Sequence, residues 1–187
     1  MAEFESAKKV WSRTEMAQML ISHTALTQLR MEDALQVVRL LTPKHFKAGD
    51  VLIREGVTHT GYMALVLHGQ AVVENGMGGH DSDTMVLGTL SSGSLFGEMG
   101  VLDGKPRSAT VTACSDMDIA VLDRPGLARL IDTVPTVACA LMGALMARVA
   151  ERLRATNAKL AKVSLENQAL REQLALPRQA PTSPSIG

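Results

Sequence analysis

Apolar residues in the N-terminal stretch recur at helical spacing. Met16, Met19 and Leu20 are followed by Leu26 and Leu29, then by Leu35, Val38 and Leu41, the period of an amphipathic helix. The stretch from about Phe4 to Leu41 therefore reads as helical. Pro43 closes it, because proline lacks the N–H a helix needs and clashes with the preceding turn. From Phe46 to about Asp123 the texture changes to short apolar runs punctuated by glycine: Val51 to Ile53 before Gly56, Met63 to Leu67 before Gly69, Ala71 to Val73 before Gly76, and Met85 to Leu87 before Gly88. Several short strands with turn signals between them predict an all-β roll or sandwich. Ser108 to Ala113 alternates strictly, with Ala109, Val111 and Ala113 on one side and Ser108, Thr110 and Thr112 on the other, the pattern of a half-buried strand. Asn75-Gly76 reads as a hairpin turn and Gly78 to Asp83 as an exposed loop.

After Pro125 the helical pattern returns. Gly126 to Val134 reads as a short helix. Pro135 suits the first turn of a long one running to about Leu176. Within it Val149, Leu153, Thr156, Leu160, Val163, Asn167, Leu170 and Leu174 step alternately by four and three, a heptad seam. With Leu153, Leu160, Asn167 and Leu174 at a, a single Asn at an a position favours a two-stranded parallel coil. Glu166 at g and Arg171 at the following e are then placed to pair between chains. The alternative is one amphipathic helix lying on its own domain; the length of the seam favours the parallel homodimer. The resulting organisation is a helical segment over residues 1–41, a β-roll with a short helix over 42–134, a dimerising helix over 135–176, and a Pro- and Ser-rich tail over 177–187 read as disordered. The fold class expected is mainly β: a double-stranded β-helix, or jelly-roll-like β-roll, with N-terminal helices and a long C-terminal helix.

Composition narrows the function classes. Of 187 residues, 46% are hydrophobic but only 3% aromatic, so the core must be aliphatic. The formal net charge is zero, which excludes a basic field over the whole surface and with it the simplest route to non-specific nucleic-acid binding. Cys114 and Cys139 lie far apart without metal-type spacing and read as two reduced, buried thiols of a cytoplasmic protein. The N-terminus shows no signal peptide. The apolar run from Val134 to Ala147 falls short of the roughly 20 residues that span a bilayer, so no membrane association is expected. The histidines His23, His45, His59, His68 and His80 are scattered. No catalytic constellation and no metal site is expected, and the chain reads as a non-enzyme.

One segment concentrates candidate chemistry. From Gly93 to Ala113 the chain reads as strand, glycine-rich turn, short helix and strand. Gly97 and Gly100 flank Glu98 and Met99. Glycines let the backbone approach a ligand, and N–H groups at a helix start suit an anion, phosphate above all. Glu98 supplies an acceptor for a sugar hydroxyl. Arg107 offers a guanidinium that clamps phosphate through charge-assisted hydrogen bonds, and Ser108 adds a hydroxyl beside it.

Phe96-Gly97-Glu98, followed by Pro106-Arg107-Ser108-Ala109-Thr110-Val111, resembles the phosphate-binding cassette of cyclic-nucleotide-binding domains. That family includes the bacterial catabolite activators, the regulatory subunits of cyclic-AMP-dependent kinase and the cyclic-nucleotide-gated channels. The likeness extends upstream through the segment from Phe46 to Gly56 and the turn at Gly69, and downstream into the long helix. It covers about Leu26 to Leu160.

The resemblance implies that Glu98 binds the ribose 2′-hydroxyl and that Arg107 pairs with the cyclic phosphate. It implies that the N–H groups near Gly97, Glu98, Gly100 and Ser108 meet the same phosphate, with Met99 in the same ligand-binding stretch. It points to Thr156 and Asn157 as base contacts on the long helix, while counting from Pro135 without a gap places Arg152 and Leu153 there instead. The bacterial activators carry a helix-turn-helix domain after that helix; only Pro177 to Gly187 follow Leu176 here, so no direct DNA binding is expected. The reading is a stand-alone sensor of cyclic AMP or cyclic GMP that signals through an unidentified effector protein or a change in dimer geometry. Two alternatives stay open: a scaffold with a ligand-free β-roll acting through its coiled coil, and a cyclic di-GMP effector on the same fold.

Overall fold

The computed structural model describes residues 9–22, 25–58, 61–76 and 84–175. The chain divides into two compact units, Met1–Met146 and Ala147–Gly187.

The first unit opens with α1 (Arg13–Leu20) and α2 (Met31–Val38). The expected continuous helix to Leu41 is therefore two short helices, and Phe4 to Lys8 lie outside the described residues. Local hydrogen bonds explain the break. Ser12 caps α1 with a complete capping box, its hydroxyl accepting from the Glu15 N–H and the Glu15 carboxylate accepting from the Ser12 N–H, which satisfies two otherwise orphaned donors. Those bonds, the backbone one first, and Lys9 hold the Glu15 carboxyl down at about 2. After Ile21 the chain turns back, with Leu26 N–H donating to Leu20 and Leu29 N–H donating to Leu26. Leu26 and Leu29 kept helical spacing through turns. Pro43 is not a helix stop either: it lies within β1 (Thr42–Phe46), the outer strand of its sheet, where proline's missing donor costs least.

Strands β1, β2 (Val51–Ile53), β3 (Tyr62–His68), β4 (Ala71–Gly76), β5 (Thr84–Leu90), β6 (Leu95–Phe96), β7 (Thr110–Ala113) and β8 (Met117–Asp123) form two four-stranded sheets, ordered β1-β8-β3-β6 and β2-β7-β4-β5. All pairs are antiparallel. This is the jelly-roll architecture expected. Its period-2 logic is plainest in β3, whose residues Tyr62 to Leu67 are all buried. Tyr62, Ala64 and Val66 pack between the sheets with Met117, Ile119 and Val121, while Met63, Leu65 and Leu67 pack under the helices with Leu20, Leu26 and Val37. A strand covered on both faces reads as one continuous apolar run.

Asn75 and Gly76 are not the hairpin turn. They are the last ladder residues of β4, opposite Met85 and Thr84, because the Glu55 carboxylate accepts from the Asn75 amide at 3.1 Å and from the Gly76 N–H at 2.9 Å. The loop from Gly78 to Asp83 lies outside the described residues.

Short helices α3 (Glu98–Leu102) and α4 (Arg124–Thr133) precede α5 (Pro135–Ala175). Asp123 caps α4 by accepting from the Gly126 N–H, with Pro125 in the first turn. The opening turns of α5 belong to the first unit's core through Val137, Ala138, Leu141, Ala144 and Leu145. Both cysteines are exposed, which corrects the expectation of buried thiols: Cys114 sits in the turn after β7, and Cys139 follows the buried Ala138 on the outward side of α5. In the second unit the helix presents its seam openly, with Leu153, Leu160, Val163, Leu170 and Leu174 all more than half exposed. Glu166 lies 3.8 Å from Lys162 of the same helix. The tail from Pro177 lies outside the described residues. No described helix is long and apolar enough to cross a membrane.

A polar tie joins the N-terminal segment to the roll. The Asp118 carboxylate accepts from Trp11 Nε1 at 3.2 Å and meets His45 Nδ1 at 2.8 Å. Burial pushes this carboxyl up, but the bonds from His45 and Trp11 outweigh it and the net shift is downward. A depressed folded value adds stability above the unfolded value near 3.9, and that stability is lost as pH falls through the folded one. Asp118→Asn is expected to unfold at lower urea than wild type at pH 7, by roughly 1–2 kcal/mol. The gap should close towards pH 3. A gap that stays constant over that range would assign the loss to packing instead.

Candidate functional site

The glycine-rich segment folds around one side chain, Arg107. After β6, Gly97 takes φ +75° and caps α3. That left-handed backbone strongly favours glycine, and space requires it as well: a Cβ at Gly97 would lie 2.8 Å from the Tyr62 carbonyl oxygen and 3.2 Å from Arg107 Nη1. At Gly100 a methyl group would overlap Nη1 and stand 2.9 Å from Cζ. The guanidinium thus lies directly on the backbone of α3.

Arg107 is set by its main chain first. Its N–H donates to Val57 at 3.1 Å, and its carbonyl accepts from Gly56 at 2.9 Å, which pins the cassette loop to the turn after β2. From there the side chain runs inward, only 6% exposed. Nη1 donates to the Gly97 carbonyl and Nη2 to the Tyr62 carbonyl, each at 2.8 Å. Cζ stands 4.9 Å from the centroid of the Tyr62 ring. Glu98, in the first turn of α3, is 3% exposed.

Burying ionised groups is costly unless partners compensate. Among the described residues the buried charged side chains are Asp33, Glu98 and Arg107. Asp33 is accounted for by Arg30, whose Nε donates to it at 3.1 Å. The other two sit together in the glycine-rich segment, and a charge disfavoured by burial, as at Arg107, points to a functional site. Burial lowers the Arg107 pKa from its usual range, while Tyr62 and Glu98 act to raise it. Burial raises the Tyr62 phenol, and Arg107 opposes that. α3 opens at Glu98, so the arrangement sets a helix start, which suits an anion, and a buried carboxylate beside the guanidinium.

Gly97, Glu98, Gly100 and Arg107 are therefore brought together. Met99 is 48% exposed. Ser108 is exposed in the loop, since the strand begins at Thr110 rather than at Ser108. There the Ser108 carbonyl accepts from the Asn75 amide at 2.8 Å, which fixes the loop against the end of β4. Thr156 and Asn157, like Arg152 and Leu153, are exposed on α5 in the second unit. The Thr156 hydroxyl donates to the Arg152 carbonyl at 2.8 Å. Among the described residues no three His, Cys, Asp or Glu side chains converge as a metal site.

Sequence reasoning missed Tyr62, Glu55 and Asn75. Tyr62 carried one signal: it is the only tyrosine of the chain and opens an otherwise aliphatic strand. Glu55 and Asn75 carried none, because they meet Ser108 and Thr110 only through the pairing of strands far apart in sequence.

Residues 43–134 match the family model described as a cyclic nucleotide-binding domain. The chain is 32% identical over 119 residues to a cAMP-dependent protein kinase regulatory subunit from Eremothecium gossypii, a match covering 63% of this chain and 24% of that protein. It is 31% identical over 146 residues to a putative potassium channel protein from Rhodopseudomonas palustris, covering 76% of this chain and 34% of the relative. It therefore spans a quarter to a third of the length of these relatives. Its fold superposes on the catabolite activator protein of Thermus thermophilus with a TM-score of 0.64 and 27% identity, over 79% of this chain and 64% of that one.

Proposed function

The chain belongs, through residues 43–134, to the cyclic nucleotide-binding domain family, and from that premise we propose that it is a sensor of cyclic AMP or cyclic GMP whose ligand sits on Arg107 and Glu98. The observation that carries the reading is a buried guanidinium resting on Gly97 and Gly100 with a buried carboxylate, Glu98, between those two glycines in sequence. A cyclic nucleotide supplies the matching groups: one negative charge for Arg107 and the α3 amides, and a ribose 2′-hydroxyl to donate to Glu98. Isothermal titration with each nucleotide tests the proposal. Saturable binding of one or both supports it, and absence of heat and of thermal stabilisation with either would reject it, since a ligand that binds the native state must raise its stability by mass action.

Gly100→Ala separates the seat of the guanidinium from its charge. The added methyl displaces the far end of a flexible side chain rather than backbone, and alanine favours helix by up to about 1 kcal/mol over glycine. Thermal melting should fall less than in a variant that lacks the arginine, while affinity falls about tenfold or more, as expected for a charge-assisted hydrogen bond forced out of place. An unaltered affinity would show that the seat does not matter.

The same reading makes the protein a non-enzymatic, cytoplasmic regulator whose output is a partner protein or a rearranged parallel dimer. The exposed seam of α5 supports the dimer, because a row of leucines more than half exposed is what one strand of a coiled coil shows alone. Thr156 and Asn157 lie on that helix and are proposed to meet the base. Light scattering should give twice the 20.0 kDa chain mass for the wild type and a single chain for Leu160→Lys; equal masses for the two would remove the seam from the account.

A further inference from the structure

We propose that Tyr62 is a positioning residue for Arg107, holding the guanidinium in its phosphate-binding pose through the face of its ring; the inference rests on the reading of Arg107 as the phosphate partner. Tyr62 meets the guanidinium in two ways. Its carbonyl accepts from Nη2 at 2.8 Å, a contact any residue at this position makes. Its ring centroid stands 4.9 Å from Cζ, within cation–π range, and that contact belongs to the aromatic side chain alone.

The ring is itself fixed. Tyr62 is 8% exposed, and its hydroxyl donates to the Leu52 carbonyl, so the phenol is tied at its far end to β2 across the roll. The inter-sheet core holds Phe96 as well as Ala64, Val66, Ile119 and Val121, so the ring fills space there, but among these neighbours Tyr62 is the one whose ring faces the guanidinium. What an aliphatic side chain cannot offer is a negative ring face to a guanidinium that has lost its water. Burial works against the Arg107 charge. A guanidinium already held on a ring, two carbonyls and the backbone of Gly100 surrenders less freedom when an anion arrives, which is how preorganisation raises affinity.

Titration of Tyr62→Phe and Tyr62→Leu with cyclic AMP, each checked for cooperative melting, tests the proposal. The phenylalanine keeps the ring and should bind within about twofold of wild type, although it melts lower for want of the Leu52 hydrogen bond. The leucine should lose about 2- to 30-fold in affinity, the range of a partly desolvated cation–π contact. Rescue by phenylalanine of binding but not of melting is a result that a purely structural role would not give. If the leucine variant fails to fold, growth on 3,5-difluorotyrosine replaces this one ring, since the chain has no other tyrosine. Its weakened face should lower affinity, and unchanged binding would overturn the proposal. Leucine and wild type binding equally well would also overturn it while leaving the sensor reading intact. A wild type that binds no cyclic nucleotide would reject the sensor reading, and this inference with it.

Discussion

Replacing Arg107 with alanine is expected to weaken cyclic AMP binding by roughly 2–5 kcal/mol, the cost of breaking a buried, hydrogen-bonded charge pair. That corresponds to a fall of about thirtyfold to several thousandfold. The effect is large because the bound anion would then face α3 without its cation. Part of the change is structural: the carbonyls of Gly97 and Tyr62 lose the donors that now reach them, at about 1–3 kcal/mol for each one left unsatisfied. Melting should therefore drop as well. Arg107→Lys separates the two contributions, since lysine keeps the charge but cannot fork to two acceptors. It should bind more weakly than wild type and more tightly than the alanine variant. Titration calorimetry on all three, with stability measured in parallel, checks the order, and equal affinity of alanine variant and wild type would refute the role given to Arg107.

The second large effect falls on the fold. Gly69→Ala is expected to cost roughly 2–5 kcal/mol of stability, the sum of an alanine forced into left-handed backbone and an overpacked contact. Gly69 has φ +89°, and a Cβ there would overlap the Asp116 carbonyl oxygen and stand 3.0 Å from Met117 Cα. Both of these are backbone atoms, unlike the side-chain guanidinium beside Gly100, so relief requires the turn between β3 and β4 to separate from the turn between β7 and β8. That contact is tightly made: Gln70 accepts from the Cys114 N–H at 2.8 Å, and its own N–H donates to Ser115 Oγ at 3.0 Å. Against a typical stability of about 5–15 kcal/mol, much of the margin would go. Urea denaturation measures it. A shift within about 0.5 kcal/mol, the size of an ordinary surface substitution, would show that the two turns are not packed as described.

The strands were legible because period-2 patterning and glycine punctuation act locally. The runs around Leu52, Leu65, Val72 and Val86 each became a strand, and the unbroken burial of β3 followed from a run with no polar interruption. The cassette was legible because its chemistry is contiguous: Gly97, Glu98, Gly100 and Arg107 lie within one short segment. The errors came where tertiary contacts overrode a local signal. Leu26 and Leu29 kept helical spacing through a turn closed by bonds back to Leu20 and Leu26. Asn75-Gly76 had the composition of a turn, but Glu55, twenty residues earlier, holds it in the ladder. Tyr62 stayed hidden as a site residue because its partner, Arg107, is 45 positions away, and nothing in the spacing links them. The cysteines misled because free thiols are usually buried, whereas these two fall in a turn and on the outward side of a helix.

The coil seam and the cassette rest on different kinds of sequence information. A heptad spreads over many residues and tolerates exceptions such as Thr156 and Asn167. The cassette depends on single atoms: one methyl at Gly100 is enough to unseat the guanidinium. Substitutions in the segment from Gly97 to Arg107 should therefore act one at a time.

A crystal structure of the protein grown with saturating cyclic nucleotide bears most directly on what has been proposed. It should show the exocyclic phosphate oxygens within hydrogen-bond distance of the Arg107 guanidinium and the first amides of α3, with the sugar's free hydroxyl on the Glu98 carboxylate. Nucleotide bound elsewhere, or no nucleotide on Arg107 and Glu98 at saturation, would contradict it.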